Sequence, residues 1–162
     1  MRSLIVPDDA FCFEADGLHL SLCPARNGSD LQQRGGELAV HEARHNLRDG
    51  CTNIIALIVE PAGLLQAASF IKASPRLMAI AWDAGALAKA LHAQKDSETM
   101  RQARSLVVIA ARAAGVLALD SASPDLTSEK LRQACFEARR DGFDGKLAAT
   151  QAQQAVIDAA FA

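Results

Sequence analysis

Several features that would assign a sequence to a common functional class are missing from these 162 residues. The chain contains no run of about 18 apolar residues, so it predicts no membrane span. Its formal net charge is only −2. The densest basic pair, Arg139-Arg140, is followed at once by Asp141. The charge pattern therefore gives no electrostatic footprint for nucleic-acid binding.

The four cysteines lack the spacing of a redox or metal motif. Cys12, Cys23, Cys51 and Cys135 form no Cys-x-x-Cys pair. The amino-terminal apolar run is too short for the core of a signal peptide, so we expect a cytoplasmic protein with reduced, partly buried thiols. Hydrophobic residues make up 50% of the chain and charged residues 22%, which favours one folded domain over residues 1–162.

The sequence does contain a regular alternation of short apolar runs and amphipathic, alanine-rich stretches. The predicted strands are 4–6, 18–22, 54–59, 77–82, 116–119 and 145–149, and the predicted helices are 37–48, 64–73, 84–92, 99–114, 130–140 and 151–161. The run 54–59 is the clearest strand, because continuous β-branched residues are typical of strands buried on both faces. The alternation predicts an α/β fold with a parallel sheet of about six strands and right-handed crossovers.

Polar residues at the carboxyl ends of these strands are the first candidates for a functional site, because parallel sheets bind ligands there. The positions concerned are Pro7-Asp8-Asp9, Cys23-Pro24, Glu60, Asp83, Asp120 and Thr150.

Residues 41–45 independently spell the zinc-site pattern H-E-x-x-H on a predicted helix. The spacing puts His41 and His45 on one helix face, with Glu42 as a general base and Glu60 as a possible third ligand. Arg44 places a cation inside the motif, which disfavours zinc. A zinc hydrolase and an ordinary solvated helix face both remain open.

A set of motifs also runs from residue 54 to residue 161. It comprises residues 56–65, 75–82, 103–105, 110–115, 119–120 and 142–148, together with Gln153. In this order and spacing the motifs resemble the HpcH/HpaI aldolase and citrate lyase β-subunit family. The Gly-Phe-Asp-Gly-Lys stretch at 142–146, beside an Ala-Arg-x-Ala-Gly stretch at 111–115, is quite specific for the citrate-lyase-like branch.

That resemblance implies a (β/α)8 barrel that makes or cleaves carbon–carbon bonds, often on acyl-CoA thioesters and usually with Mg2+. A complete barrel needs about 250 residues, so this chain is too short to be one. Residues 2–7 resemble the family's first strand, and residues 15–20 resemble its fourth. The resemblance therefore implies an incomplete, TIM-barrel-like sheet that lacks the second and third strands.

The family's two metal-binding carboxylates align with Val59 and Ala86, neither of which offers an oxygen to Mg2+. Glu60 and Asp83 lie nearby and are the candidate metal ligands, and Asp120 matches the family and is the candidate catalytic residue. Three possibilities follow from the resemblance: intact family chemistry, a metal site rebuilt from Glu60 and Asp83, or a scaffold whose catalysis is impaired or lost.

The expected partners follow from the sheet. Six parallel strands that do not close leave unpaired edges, which proteins generally cover. We therefore expect a homo-oligomer or association with a related subunit, and neither nucleic acid nor membrane as a partner.

Overall fold

The computed structural model describes the backbone of residues 3–5 and 13–15 and all of residues 18–162. Its strands are β1 Ser3–Ile5, β2 Phe13–Ala15, β3 Leu18–Pro24, β4 Thr52–Ile58, β5 Leu77–Trp82, β6 Leu117–Asp120 and β7 Gly145–Ala148. Its helices are α1 Gly28–Arg44, α2 Pro61–Leu65, α3 Ala84–Ala90, α4 Glu98–Ala114, α5 Ser128–Arg140 and α6 Gln151–Ala160, with a 3-10 helix at Ala67–Phe70. None of the helices described is long and apolar enough to cross a bilayer.

All seven strands belong to one sheet, in the order β1-β7-β6-β5-β4-β3-β2. Five parallel pairings join β1, β7, β6, β5, β4 and β3. This confirms the predicted α/β fold and its parallel sheet of six strands alternating with helices. The short strand β2 pairs antiparallel with β3 and was not predicted.

The sheet curls into part of a barrel. β1 pairs with β7, with Leu4 opposite Leu147, which is how a barrel joins its first strand to its last. Residues 6–17 connect β1 to β3, where the family resemblance implies two further strand–helix units. Among the described residues the sheet ends at β1 and β2, so the structure is an incomplete TIM-barrel-like fold.

Strand β4 is the centre of the core and is buried on both faces. Ile54 and Ile58 pack towards the helices, in a cluster with Phe70 and Val107. Ile55 alternates with them and packs on the opposite, inner face of the sheet. This double burial explains why the sequence shows a continuous apolar run rather than an alternating one.

Helix α1 begins at Gly28, well before the predicted start at residue 37. Asn27 caps it, because its Oδ1 accepts hydrogen bonds from the backbone N–H groups of Ser29 at 2.9 Å and Asp30 at 3.3 Å. The Gly28 N–H donates to Ser69 Oγ at 2.8 Å. Residues 27–30 are therefore the N-cap and first turn of α1.

Candidate functional site

A cavity of about 420 Å³ opens at the carboxyl ends of the central strands. Leu22, Leu57 and Leu147 supply apolar side chains to its wall. Asp83, Lys95 and Ser121 supply its polar groups, and Trp82 also lines it. The cavity lies where the parallel sheet predicts a ligand site.

Asp83 is the one predicted metal ligand that the described structure places in this cavity. It is also the N-cap of α3: its Oδ1 accepts hydrogen bonds from the N–H groups of Gly85 at 2.9 Å and Ala86 at 3.0 Å. The Asp83 N–H donates to Ile58 O at 2.9 Å. One carboxylate oxygen of Asp83 is therefore already used to start a helix.

Glu60, the other predicted metal ligand, immediately precedes α2 and makes no capping hydrogen bond with its side chain. Its Oε1 lies 3.7 Å from Arg26 Nε in an exposed ion pair. Arg26 Nε also lies 3.7 Å from Asp30 Oδ2. The carboxylate of Glu60 is therefore paired with a cation. Glu60 is also not among the described residues that line the cavity.

Asp120 lies on the helix-facing side of the sheet, because it shares a face with Ala118 and not with the inner-face residue Leu119. Trp82 Nε1 donates to its Oδ1 at 2.8 Å. Burial alone would raise the pKa of this carboxyl, but the cations of Lys146 and Arg104 hold the pKa below its usual value. Asp120 is thus an ionised, buried anchor.

Asp120 also organises the rim of the cavity. Its Oδ1 accepts a hydrogen bond from the Ser121 N–H at 2.9 Å. Ser121 Oγ in turn accepts one from the N–H of Ala84, the first residue of α3, at 3.0 Å. Asp120 therefore positions two cavity-lining residues, Trp82 and Ser121.

The sequence reasoning missed Lys146 and Arg104 as partners of Asp120. Lys146 is the final residue of the Gly-Phe-Asp-Gly-Lys stretch, and it lies opposite Asp120 in the β6–β7 register. Arg104 reaches the same carboxylate from α4, with Nη2 3.2 Å from Oδ2. The signal available in the sequence was Lys146 inside the predicted strand 145–149, because a Lys that is buried in a sheet needs a charged partner.

The acidic residue of the H-E-x-x-H motif is buried where α1 packs on β4. Glu42 is only 1% exposed. It forms a two-pronged ion pair with Arg76, at 2.8 Å from Nη1 to Oε1 and 3.1 Å from Nη2 to Oε2. It also accepts the Thr52 N–H at 2.7 Å, at the start of β4. Glu42 is therefore committed to holding α1 on the sheet.

Glu42 contacts Thr52 at the start of β4, whereas Glu60 follows the end of that strand. The two ends of β4 are roughly 20 Å apart at 3.3 Å per residue. The interpretation of Glu60 as a third ligand beside His41 and His45 is therefore wrong. Two further predicted positions, Pro7-Asp8-Asp9 and Cys12, lie outside the described residues. Cys23, Cys51 and Cys135 are free thiols, as predicted.

Comparison with known proteins identifies the family. Residues 28–151 match the family model described as HpcH/HpaI aldolase/citrate lyase. The chain belongs to this family. It is 33% identical over 100 residues to citrate lyase subunit beta of Escherichia coli (strain K12), across 60% of this chain and 33% of that protein. The chain thus spans about a third of the length of the curated relatives it matches.

Solved structures share the fold. The citrate lyase beta subunit of Mycobacterium tuberculosis, complexed with oxaloacetate and magnesium, aligns with a TM-score of 0.69 and 25% identity. That alignment covers 88% of this chain and 60% of the other. The CitE protein of M. tuberculosis, in complex with magnesium, acetoacetate and coenzyme A, aligns with a TM-score of 0.70 and 23% identity over 88% and 51% of the two chains.

Mg2+ prefers carboxylate oxygens arranged around an octahedral ion, and the part of this citrate-lyase family member that the structure describes does not present such a set. Val59 and Ala86 stand at the two positions that the sequence resemblance aligns with the family's metal-binding carboxylates. The neighbouring carboxylate of Glu60 is paired with Arg26, and that of Asp83 caps α3. Across residues 18–162, no group of three His, Cys, Asp or Glu side chains is arranged to hold a metal ion. The described residues therefore do not fit a resident Mg2+.

Proposed function

We propose that this chain keeps the scaffold of the citrate lyase family without its metal-dependent carbon–carbon bond chemistry. In this proposal it is a non-catalytic subunit that associates with itself or with a longer relative. The observation that carries the proposal is the state of the two nearby carboxylates. Glu60 is paired with Arg26 and Asp83 accepts hydrogen bonds from two backbone N–H groups, so both carboxylates already have other partners and Val59 and Ala86 offer no oxygen.

Asp120 has a positioning role in this proposal, and its predicted catalytic role is set aside. Its carboxylate is shared among Lys146, Arg104, Trp82 and the Ser121 N–H, all of which neutralise it or hold it in place. A general base needs a free oxygen within reach of the substrate proton. Asp120 faces the helices instead of the inner face of the sheet.

The proposed association rests on the edges of the sheet. Within the described part of the chain, β1 and β2 are each paired on one side only. Unpaired strand edges offer N–H and C=O groups to another chain, and proteins generally cover them. A second copy, or a longer relative with the same barrel fold, would cover them with matching strands.

Light scattering coupled to size exclusion tests the association directly. We expect a concentration-stable dimer or higher oligomer of the purified chain, or a stable complex with a longer family member when the two are mixed. A monomer in both experiments would contradict the proposed subunit role.

The alternative is a Mg2+-dependent lyase whose metal site is rebuilt from Glu60 and Asp83, acting on a small oxoacid or an acyl-CoA thioester. One observation favours it: Asp83 lines the 420 Å³ cavity beside Lys95 and Ser121. The cation of Lys95 would suit a carboxylate substrate. This alternative requires Mg2+ to stabilise the folded chain through Asp83.

A further inference from the structure

His41 and His45 form a pair on the outer surface of α1 that the proposed function does not use. Their ring centroids lie 4.4 Å apart, and the ring planes are inclined by 40°. Both line a shallow hollow of about 350 Å³ with Glu37, Val40 and Arg44. We propose that the two imidazoles form a chelating site for a first-row transition-metal dication such as Ni2+, Co2+ or Zn2+.

The backbone fixes the spacing of the two rings. The His45 N–H donates to His41 O at 3.1 Å, so the helical i to i−4 hydrogen bond continues to the C-cap. Residues at i and i+4 of a helix lie on the same face. The pair also sits at the carboxyl end of α1, where the helix dipole favours a cation.

The ring separation suits a shared ion. Two imidazole nitrogens bound at about 2.1 Å and at a right angle around one metal would bring the ring centroids to about 4.6 Å. The observed separation of 4.4 Å is close to that value. Water completes the coordination shell at this exposed surface.

The surrounding side chains define a binding site and not a hydrolytic one. Glu42, the acid or base of a zinc hydrolase motif, is held by Arg76 on the sheet side of α1. Glu37 lies one turn before His41, with its Oε2 3.6 Å from Arg34 Nε. Arg44 lines the same hollow and opposes a dication there.

Neutral imidazole suits Ni2+, Zn2+ and Co2+, whereas Mg2+ prefers oxygen ligands. The site is therefore separate in chemistry and position from the Glu60 and Asp83 region. The proposed metal site can therefore be disproved while the proposed scaffold function holds, and the scaffold function can be disproved while the metal site holds.

Isothermal titration of the untagged full chain with Ni2+, Co2+ and Mg2+ near pH 7.5 tests the site. We expect one Ni2+ per chain, tighter binding of Ni2+ than of Co2+, and no heat from Mg2+ at this site. His41→Ala and His45→Ala should each weaken Ni2+ binding by at least about tenfold, because each removes the second, intramolecular ligand. Arg44→Gln should tighten it.

His92→Asn is the matched control. It removes an imidazole elsewhere on the chain, at a backbone φ of 51° that asparagine tolerates. Its Ni2+ affinity should equal that of the wild type, and circular dichroism should show that all variants are folded. The proposal is overturned if the wild type binds no Ni2+, or if affinity survives either His41→Ala or His45→Ala.

Discussion

Lys146 Nζ lies 3.2 Å from Asp120 Oδ2, and both side chains are buried between the sheet and its helices. Lys146 Nζ also donates to Ser121 O, and Arg104 donates to both oxygens of the same carboxylate, from Nε to Oδ1 and from Nη2 to Oδ2. The pair joins β6 to β7, and Arg104 connects it to α4. Buried charges in this arrangement are costly to separate, because each lacks water to replace its partner.

Asp120→Ala should therefore lower the free energy of unfolding by about 3–5 kcal/mol, since it leaves the Lys146 and Arg104 cations without their shared carboxylate. Urea unfolding at neutral pH measures this. Asp125→Ala, at an exposed loop position, is the control and should change stability by no more than about 0.5 kcal/mol. A loss below about 1 kcal/mol for Asp120→Ala would show that the buried pair does not hold the fold.

The Glu42–Arg76 pair predicts how stability depends on pH. Burial pushes the pKa of Glu42 upwards, but hydrogen bonds from Arg76, Thr52 and Gly50 outweigh it and hold the pKa well below its usual value. A carboxyl with a lowered pKa stabilises the fold above its unfolded-state pKa of about 4.3, and this contribution is lost as the pH falls further. Wild-type stability should thus fall steeply below about pH 4.

Glu42→Gln isolates this contribution. It should cost about 3–5 kcal/mol near pH 7, and the difference from the wild type should shrink as the pH falls towards 3. Urea unfolding at several pH values measures both. Glu98→Gln, at an exposed carboxylate, should leave the acid dependence of the wild type in place. A pH-independent cost of Glu42→Gln would contradict the assignment.

Two glycines should respond to alanine in opposite directions. A Cβ on Gly63 would lie 2.7 Å from Ala25 O, so Gly63→Ala should destabilise the fold by about 1–3 kcal/mol through overpacking. Gly36 lies inside α1 with open space around it, so Gly36→Ala should stabilise the fold by up to about 1 kcal/mol. Thermal unfolding measures the change in Tm of both variants. Equal changes in Tm would show that the contact between Gly63 and Ala25 O leaves room for a Cβ.

Asp83 should act first as a helix cap. Asp83→Ala should cost about 1 kcal/mol, because the N–H groups of Gly85 and Ala86 lose their acceptor. Asp83→Asn should cost little, since an asparagine amide oxygen caps equally well. Chemical denaturation of the two variants checks this, and equal losses would argue that the charge matters more than the cap.

The parallel sheet could be predicted from the sequence because each of its parallel strands has a local sequence pattern. The run at 54–59 is apolar on both faces, and α4 ends at Ala114 as predicted, with Gly115 following at a φ of 71°. The start of α1 was missed because Gly35-Gly36 dilute the helical pattern there. Strand β2 has three residues and is defined by its pairing with β3.

The candidate site was harder to predict, because the direction of a side chain at a strand end depends on register. Asp120 was correctly located at the end of β6, but its partners Lys146 and Arg104 come from β7 and α4. Glu42 is part of a sequence pattern typical of zinc sites, but its carboxylate pairs with Arg76, which is 34 residues away in the chain. Neither long-range pair leaves a local pattern.

The response of the chain to Mg2+ tests the central claim most directly. Thermal unfolding should be measured with and without millimolar Mg2+, in the presence and absence of oxaloacetate, for the wild type, Glu60→Gln and the cap-preserving Asp83→Asn. An ion that binds only the folded state stabilises it by RT ln(1 + L/Kd), where L is the free ion concentration, and therefore raises the Tm. We predict a Tm that Mg2+ leaves unchanged in all three proteins. A rise in the wild-type Tm that either substitution abolishes would contradict the scaffold proposal and support a rebuilt lyase site.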